Sequence, residues 1–213
     1  MFSLKMSSGW EEKFRKDAKR EIGLYLGKHL PRAISSAEVL IKELVMSSLE
    51  ASSAYSSISS GKLRFQLGLP DGNQRVGSIV EAWVSGIDVR FVSGVGSFGS
   101  ISIGIIKDDF QDVLSLPEAH LTYTNSKGET KDLEWLRWLL TEGSRQIITE
   151  YKYSSNTRKR GRAGGGIMIR GGGAFWRVPG EFAGTENDNF ATRALLGIEN
   201  KIDSIMRMTL GKL

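Results

Sequence analysis

Cysteine is absent from this 213-residue chain, and histidine occurs only as His29 and His120. The first absence excludes disulfide frameworks, thiolate zinc sites and thiol nucleophiles together, and fits assembly in a reducing compartment such as the cytosol. The second leaves any metal centre dependent on carboxylates, and none cluster at ligand spacing along the sequence, so no metal is expected. Asp108, Asp109 and Asp112 come nearest, but their place before Phe110, Val113 and Leu114 reads as a helix cap. Long apolar runs are lacking too. The stretch Ile101–Ile106 is far too short to span a bilayer, and Met1–Glu12 has no apolar core of signal-peptide length, so no membrane association is expected.

Catalytic constellations are equally scarce. No G-x-S-x-G elbow is present. His29 beside Lys28 at a helix end, and His120 next to Glu118 at a strand entrance, have no partner at a recognisable spacing. Gly94-Val95-Gly96-Ser97-Phe98-Gly99 spells G-x-G-x-x-G, yet the residues behind it are strand-like, whereas a dinucleotide site needs a helix to begin there. A kinase-type reading, with Lys107 as the phosphate lysine, fails because no H-R-D or D-F-G follows. The loop reads as a flexible hairpin tip that can also grip a neighbour. The chain is therefore expected to be neither an enzyme nor a cofactor binder.

With 40% apolar residues, one α+β domain over 1–213 can bury a substantial core. Trp10, Phe14, Ala18, Ile22, Tyr25 and Leu26 recur at helical spacing, predicting a helix that ends near Leu30-Pro31. Ser35 and Glu38 have the capping-box spacing, and Leu40, Ile41, Leu44, Val45 and Leu49 then mark a second helix, completing a helical part over 1–54 that fades into the serine-rich 52–60. Lys62–Leu69 alternates like a strand, with a short helix as the alternative. Val76, Ile79, Val80 and Trp83 predict a helix stopped by Gly86, and Ile87–Phe91 with Ile101–Ile106 predict a hairpin. Strands are expected near 119–123, 147–153 and 167–169, and helices along Leu133–Leu140 and from Asp188 to Thr209. The expected order is helices, a central and mostly antiparallel sheet, then a closing helix. Trp83, Trp135 and Trp138 fall on or beside apolar stripes and read as core.

Charge is distributed unevenly. Tyr151 to Gly180 carries seven bases, eight glycines and no acid, giving +7 there and −2 elsewhere. Its part 154–180 reads as a basic, glycine-rich arm or loop built to touch something negative, either phosphates or the acids of a neighbouring subunit. The candidate contacts are Arg158, Lys159, Arg160, Arg162, Arg170, Phe175, Trp176 and Arg177. Aromatics flank the basic cluster without alternating through it, which disfavours sequence-specific readout. Trp176, among glycines and Pro179, is expected in a loop with no helix or long strand around it, plugging a pocket of its own or of a partner.

Several segments together resemble a family of tailed-phage virion proteins from the neck and tail-completion region. They are Ser60-Gly61-Lys62-Leu63-Arg64 with Gly68-Leu69-Pro70-Asp71-Gly72, Trp135–Gly143, Phe175–Thr185 and Asn189–Leu195. The resemblance covers most of 55–196. It implies a structural subunit of the virion, assembled in the host cytoplasm as a symmetric ring or collar and contacting portal, neck or tail proteins. No catalytic residue is carried over with it. A homo-oligomer in which a +7 ribbon meets a −2 body is the expected use of the charge. Sequence-nonspecific contact with genomic DNA is the alternative.

Overall fold

One helix organises the molecule. In the computed structural model, which describes residues 9–92, 100–105, 109–124, 127–143, 148–155 and 161–211, α1 runs unbroken from Trp10 to Glu50, a rise of about 60 Å. Its buried residues are Leu30, Ala33, Ala37, Ile41, Val45 and Leu49, spaced by three or four so that they form one stripe. Residues 9–29 contribute no buried side chain.

The expected break at Leu30-Pro31 does not occur, and Ser35 caps nothing. Proline inside a helix removes one backbone hydrogen bond and crowds the carbonyl four residues earlier, costing about 3 kcal/mol. Here that carbonyl belongs to Gly27, and both Gly27 and Pro31 are exposed, so water satisfies it while the buried stripe on the C-terminal side holds the register. His29 consequently lies within the helix, stacked on Tyr25 at 4.5 Å between ring centroids.

Three short helices wrap the buried half of α1. The serine-rich patch folds as α2 (Ser53–Ser59), because the Ser52 hydroxyl accepts from the Tyr55 amide and caps it. Lys62–Leu67 is α3, not a strand. Leu63 and Leu67 lie one turn apart on its buried face while Phe65 points elsewhere, so a four-residue alternation served a helix as well as it would a strand. Gly68, at φ 69°, ends it in the left-handed conformation. Then α4 (Gly72–Ser85) carries Val76, Ile79, Val80 and Trp83 into the core and stops at Gly86, as expected. Trp83 meets Phe110 and Phe190 at 6.3 and 5.7 Å, and burying such a ring contributes roughly 2–3 kcal/mol.

The strands are antiparallel, but among the described residues they pair as three separate two-stranded ribbons instead of one central sheet. These are β1 (Asp88–Val92) with β2 (Ser100–Gly104), β3 (Leu121–Thr124) with β4 (Thr130–Leu133), and β5 (Ile148–Ser154) with β6 (Ile167–Trp176). Between the first two ribbons lies α5 (Gln111–Leu114), whose first amide donates to the Asp109 carboxylate. Leu133 ends β4, so the next helix, α6, starts at Trp135 and runs to Leu140.

β6 is three times as long as its apolar core suggested. Thr149 pairs with Phe175 and Tyr151 with Arg170, so four residues, Gly171 to Ala174, stand opposite Glu150 alone. This irregularity absorbs the second glycine triplet, with Gly173 at φ 71° and Glu150 at φ 62°. The expected arm 154–180 is therefore a strand over Ile167–Trp176.

The chain closes with α7 (Phe190–Ala194) and α8 (Glu199–Leu210), the latter packed on α1. The turn at Gly197, φ 79°, divides what the periodicity suggested was one helix. Asn189, not Asp188, caps α7: its Oδ1 accepts from the Ala191 and Thr192 amides, and its Nδ2 donates to the Thr185 carbonyl at 2.9 Å. Arg193 ties the preceding loop down through Asp188 and the carbonyls of Glu181 and Ala183. No described helix is long and apolar enough to cross a membrane.

Two substitutions test this closure. A Cβ on Gly184 would lie 1.9 Å from the Leu139 carbonyl oxygen, so Gly184→Ala should lower stability by roughly 2–3 kcal/mol in urea unfolding. Asn189→Ala should cost about 2 kcal/mol through the lost cap. Wild-type midpoints for both would contradict the packing.

Candidate functional site

Four elements enclose a cleft of about 280 Å³. Helix α3 supplies Phe65, Gln66 and Leu67, the β3–β4 ribbon Tyr123 and Leu133, α6 Trp138, and the β6 side Gly161, Arg162, Gly166, Ile167, Met168 and Trp176. The walls are mostly apolar and aromatic, and the polar groups are few, the usual composition of a recognition pocket.

Glycine permits its assembly. The turn before β6 closes through hydrogen bonds from Gly161 to the Gly165 carbonyl and from Gly164 to the Gly161 carbonyl. A Cβ on Gly165 would sit 2.4 Å from the Phe65 ring, so only a residue without a side chain lets the turn lie on α3. Its companion Arg162, exposed, is then laid over the Tyr123 ring, 4.2 Å from its centroid, a cation–π contact of about 0.5–1 kcal/mol. On the other side the guanidinium passes Gly68, where a Cβ would be 3.1 Å from Nη2.

Two polar groups in the cleft have no partner among the described residues. Arg162 makes neither ion pair nor hydrogen bond with any of its donors. Gln66 Oε1 is fully buried without a hydrogen bond, a state that costs about 1–3 kcal/mol. An exposed cation and a residue with a buried acceptor thus both line an aromatic-walled space.

The candidate contacts separate accordingly. Arg162 and Trp176 meet in the cleft, whereas Arg170, Phe175 and Arg177 are exposed outside it, and Arg170 bonds Glu150 of its own ribbon at 2.9 Å. Trp176 ends a ten-residue strand and is 7% exposed, edge-on to Trp138 at 6.5 Å. It packs into its own protein's core. Arg158, Lys159 and Arg160, with the Gly94–Gly99 loop, Lys107 and Asp108, lie outside the described residues.

A second polar cluster went unread in the sequence because folding, not spacing, creates it. The β3–β4 register sets Asp132 opposite Thr122, hence on the face of His120. The ring Nδ1 is 2.7 Å from the Asp132 carboxylate and Nε2 is 2.9 Å from the Leu114 carbonyl oxygen. Glu134 completes a His120–Asp132–Glu134 group with metal-ligand proximity. Both ring nitrogens face acceptors, so the imidazolium, which donates twice, suits the site better than a metal-binding lone pair.

Comparisons with protein-family models, with curated proteins and with solved structures find no match to this chain.

The histidine carries a pH prediction. Its hydrogen bond to Asp132 above all raises the His120 pKa, against the opposing effect of burial, with help from the Leu114 carbonyl. The folded state thus holds the proton more tightly than the unfolded chain. This stabilisation is complete below about pH 6.5 and is lost as pH rises through the folded pKa. Thermal unfolding from about pH 6 to about pH 8.5 should show the advantage of the native chain over His120→Gln shrinking with pH; a constant difference would contradict it.

Proposed function

We propose that the chain is a structural subunit of a tailed-phage virion at the neck, acting in head-tail joining or tail completion and assembling with its own copies into a ring or collar. It would be made in the host cytoplasm and carried in the virion, without catalysis. The observation that carries the assembly is the free half of α1. Trp10, Phe14, Ile22, Leu24 and Tyr25 are all at least 40% exposed there, Phe14 at 65%, an apolar load that isolated helices rarely keep in water.

The phage assignment itself rests on the sequence resemblance. In its favour, three of the segments that carry it fold against one another. Gly143 donates to the Gly184 carbonyl at 3.0 Å, Asn189 reaches the Leu140 carbonyl, and Trp138 meets Trp176. They form one scaffold, as a shared fold requires.

The alternative, sequence-blind contact with nucleic acid, draws on the +7 ribbon and on the unpaired Arg162. Weighing mass by light scattering against DNA affinity separates the two. Replacing Arg158, Lys159, Arg160 and Arg162 with alanine should lower the oligomer mass more than it lowers DNA binding. A strictly monomeric protein that binds DNA with steep salt dependence, lost in that variant, would overturn the assembly reading in favour of the alternative.

A further inference from the structure

The cleft and the free helix answer each other chemically. At the tip of α1 stand Trp10, 40% exposed, and the exposed carboxylates Glu11 and Glu12. Trp10 lies beside Phe14, at 6.5 Å between ring centroids. The cleft has aromatic walls and the exposed Arg162, which has no ion pair among the described residues. An exposed ring stands at one place and an aromatic wall at the other, and carboxylates at the first match a guanidinium at the second.

We propose that the α1 tip of one copy docks in this cleft of the next, a contact that rests on the assembly reading. The Trp10 ring enters among Phe65, Tyr123, Trp138 and Trp176, and Glu11 or Glu12 pairs with Arg162. The carboxylates bring charge complementarity: they belong to the body of net −2, while Arg162 belongs to the ribbon of +7. In the free chain they serve only the N-terminal end of the helix dipole, a role that docking leaves intact.

Reach makes the contact intermolecular. Trp10 precedes Leu30, the first buried residue of α1, by twenty positions, about 30 Å of helix, so the tip stands well away from its own packed body. Tip and cleft are different surfaces, and joining them is heterologous: each copy gives one and receives one. An indole buries roughly 150–250 Å², too little alone for a stable pair. A closed ring makes the last contact intramolecular, which turns a weak interface into a firm assembly.

Sedimentation of the full-length protein tests this. Trp10→Ala should weaken association about 30-fold, the effect of losing a central aromatic anchor. Arg162→Glu should disperse the particles, and so should the pair Glu11→Lys with Glu12→Lys, while the triple variant should recover them, an outcome that misfolding cannot imitate. Wild-type particles unaffected by all these changes would overturn the docking and leave the assembly reading standing. A wild-type protein that stays monomeric would overturn both. If Arg162→Glu instead keeps the wild-type mass and loses affinity for single-stranded oligonucleotide, the cleft takes nucleotides and the docking is wrong.

Discussion

Everything in this molecule depends on one stripe of α1. Leu30, Ala33, Ala37, Ile41, Val45 and Leu49 form that stripe, α2, α4, α7, α8 and β1 pack on the helix, and the burial of the stripe carries the helix through Pro31. Because a helix is stiff, order established in the buried half is transmitted to residues 10–29, among which no side chain is buried. The result is a rigid, highly charged rod that also carries exposed apolar side chains. Such an arrangement is costly for an isolated chain and sensible for one that meets copies of itself.

The rest of the fold is locked by close backbone approaches more than by regular structure. Its three ribbons are too small to be stable alone. They are held by the tryptophan and leucine core between them and by a crossing in which Gly143 and Gly184 come so near that a side chain on either would strike backbone. Buried Asn189 at that crossing bonds to the end of α6, the loop before α7 and the first turn of α7 at once. The same economy shapes the cleft, where Gly68 and Gly165 clear the space through which Arg162 and the turn approach α3. Much of the glycine in the basic ribbon therefore serves packing and not mobility.

Long-period patterns were legible in the sequence, and so were the turns. The stripe of α4, its stop at Gly86, the hairpins and the core tryptophans follow from spacing and from residues with narrow conformational preferences. Pro31 misled because its cost is local while the stripe that outweighs it spans twenty residues. Lys62–Leu67 misled because six residues are too few to separate a period of two from one of 3.6. The length of β6 was hidden by glycines that read as linker until their partner strand was known. Of the cleft, Arg162 and Trp176 stood out by composition. Phe65, Gln66, Tyr123 and Trp138 did not, since their only signal is proximity across elements far apart in the chain. His120 with Asp132 was missed for the same reason.

The central claim is that the free half of α1 is an interface. Amide hydrogen exchange of residues 10–29, followed across a range of protein concentration, reads that directly. The account predicts that protection there rises with concentration toward that of residues 30–50, while the body stays unchanged. Rapid exchange of this segment at every concentration, in a protein whose body is fully protected, would contradict it.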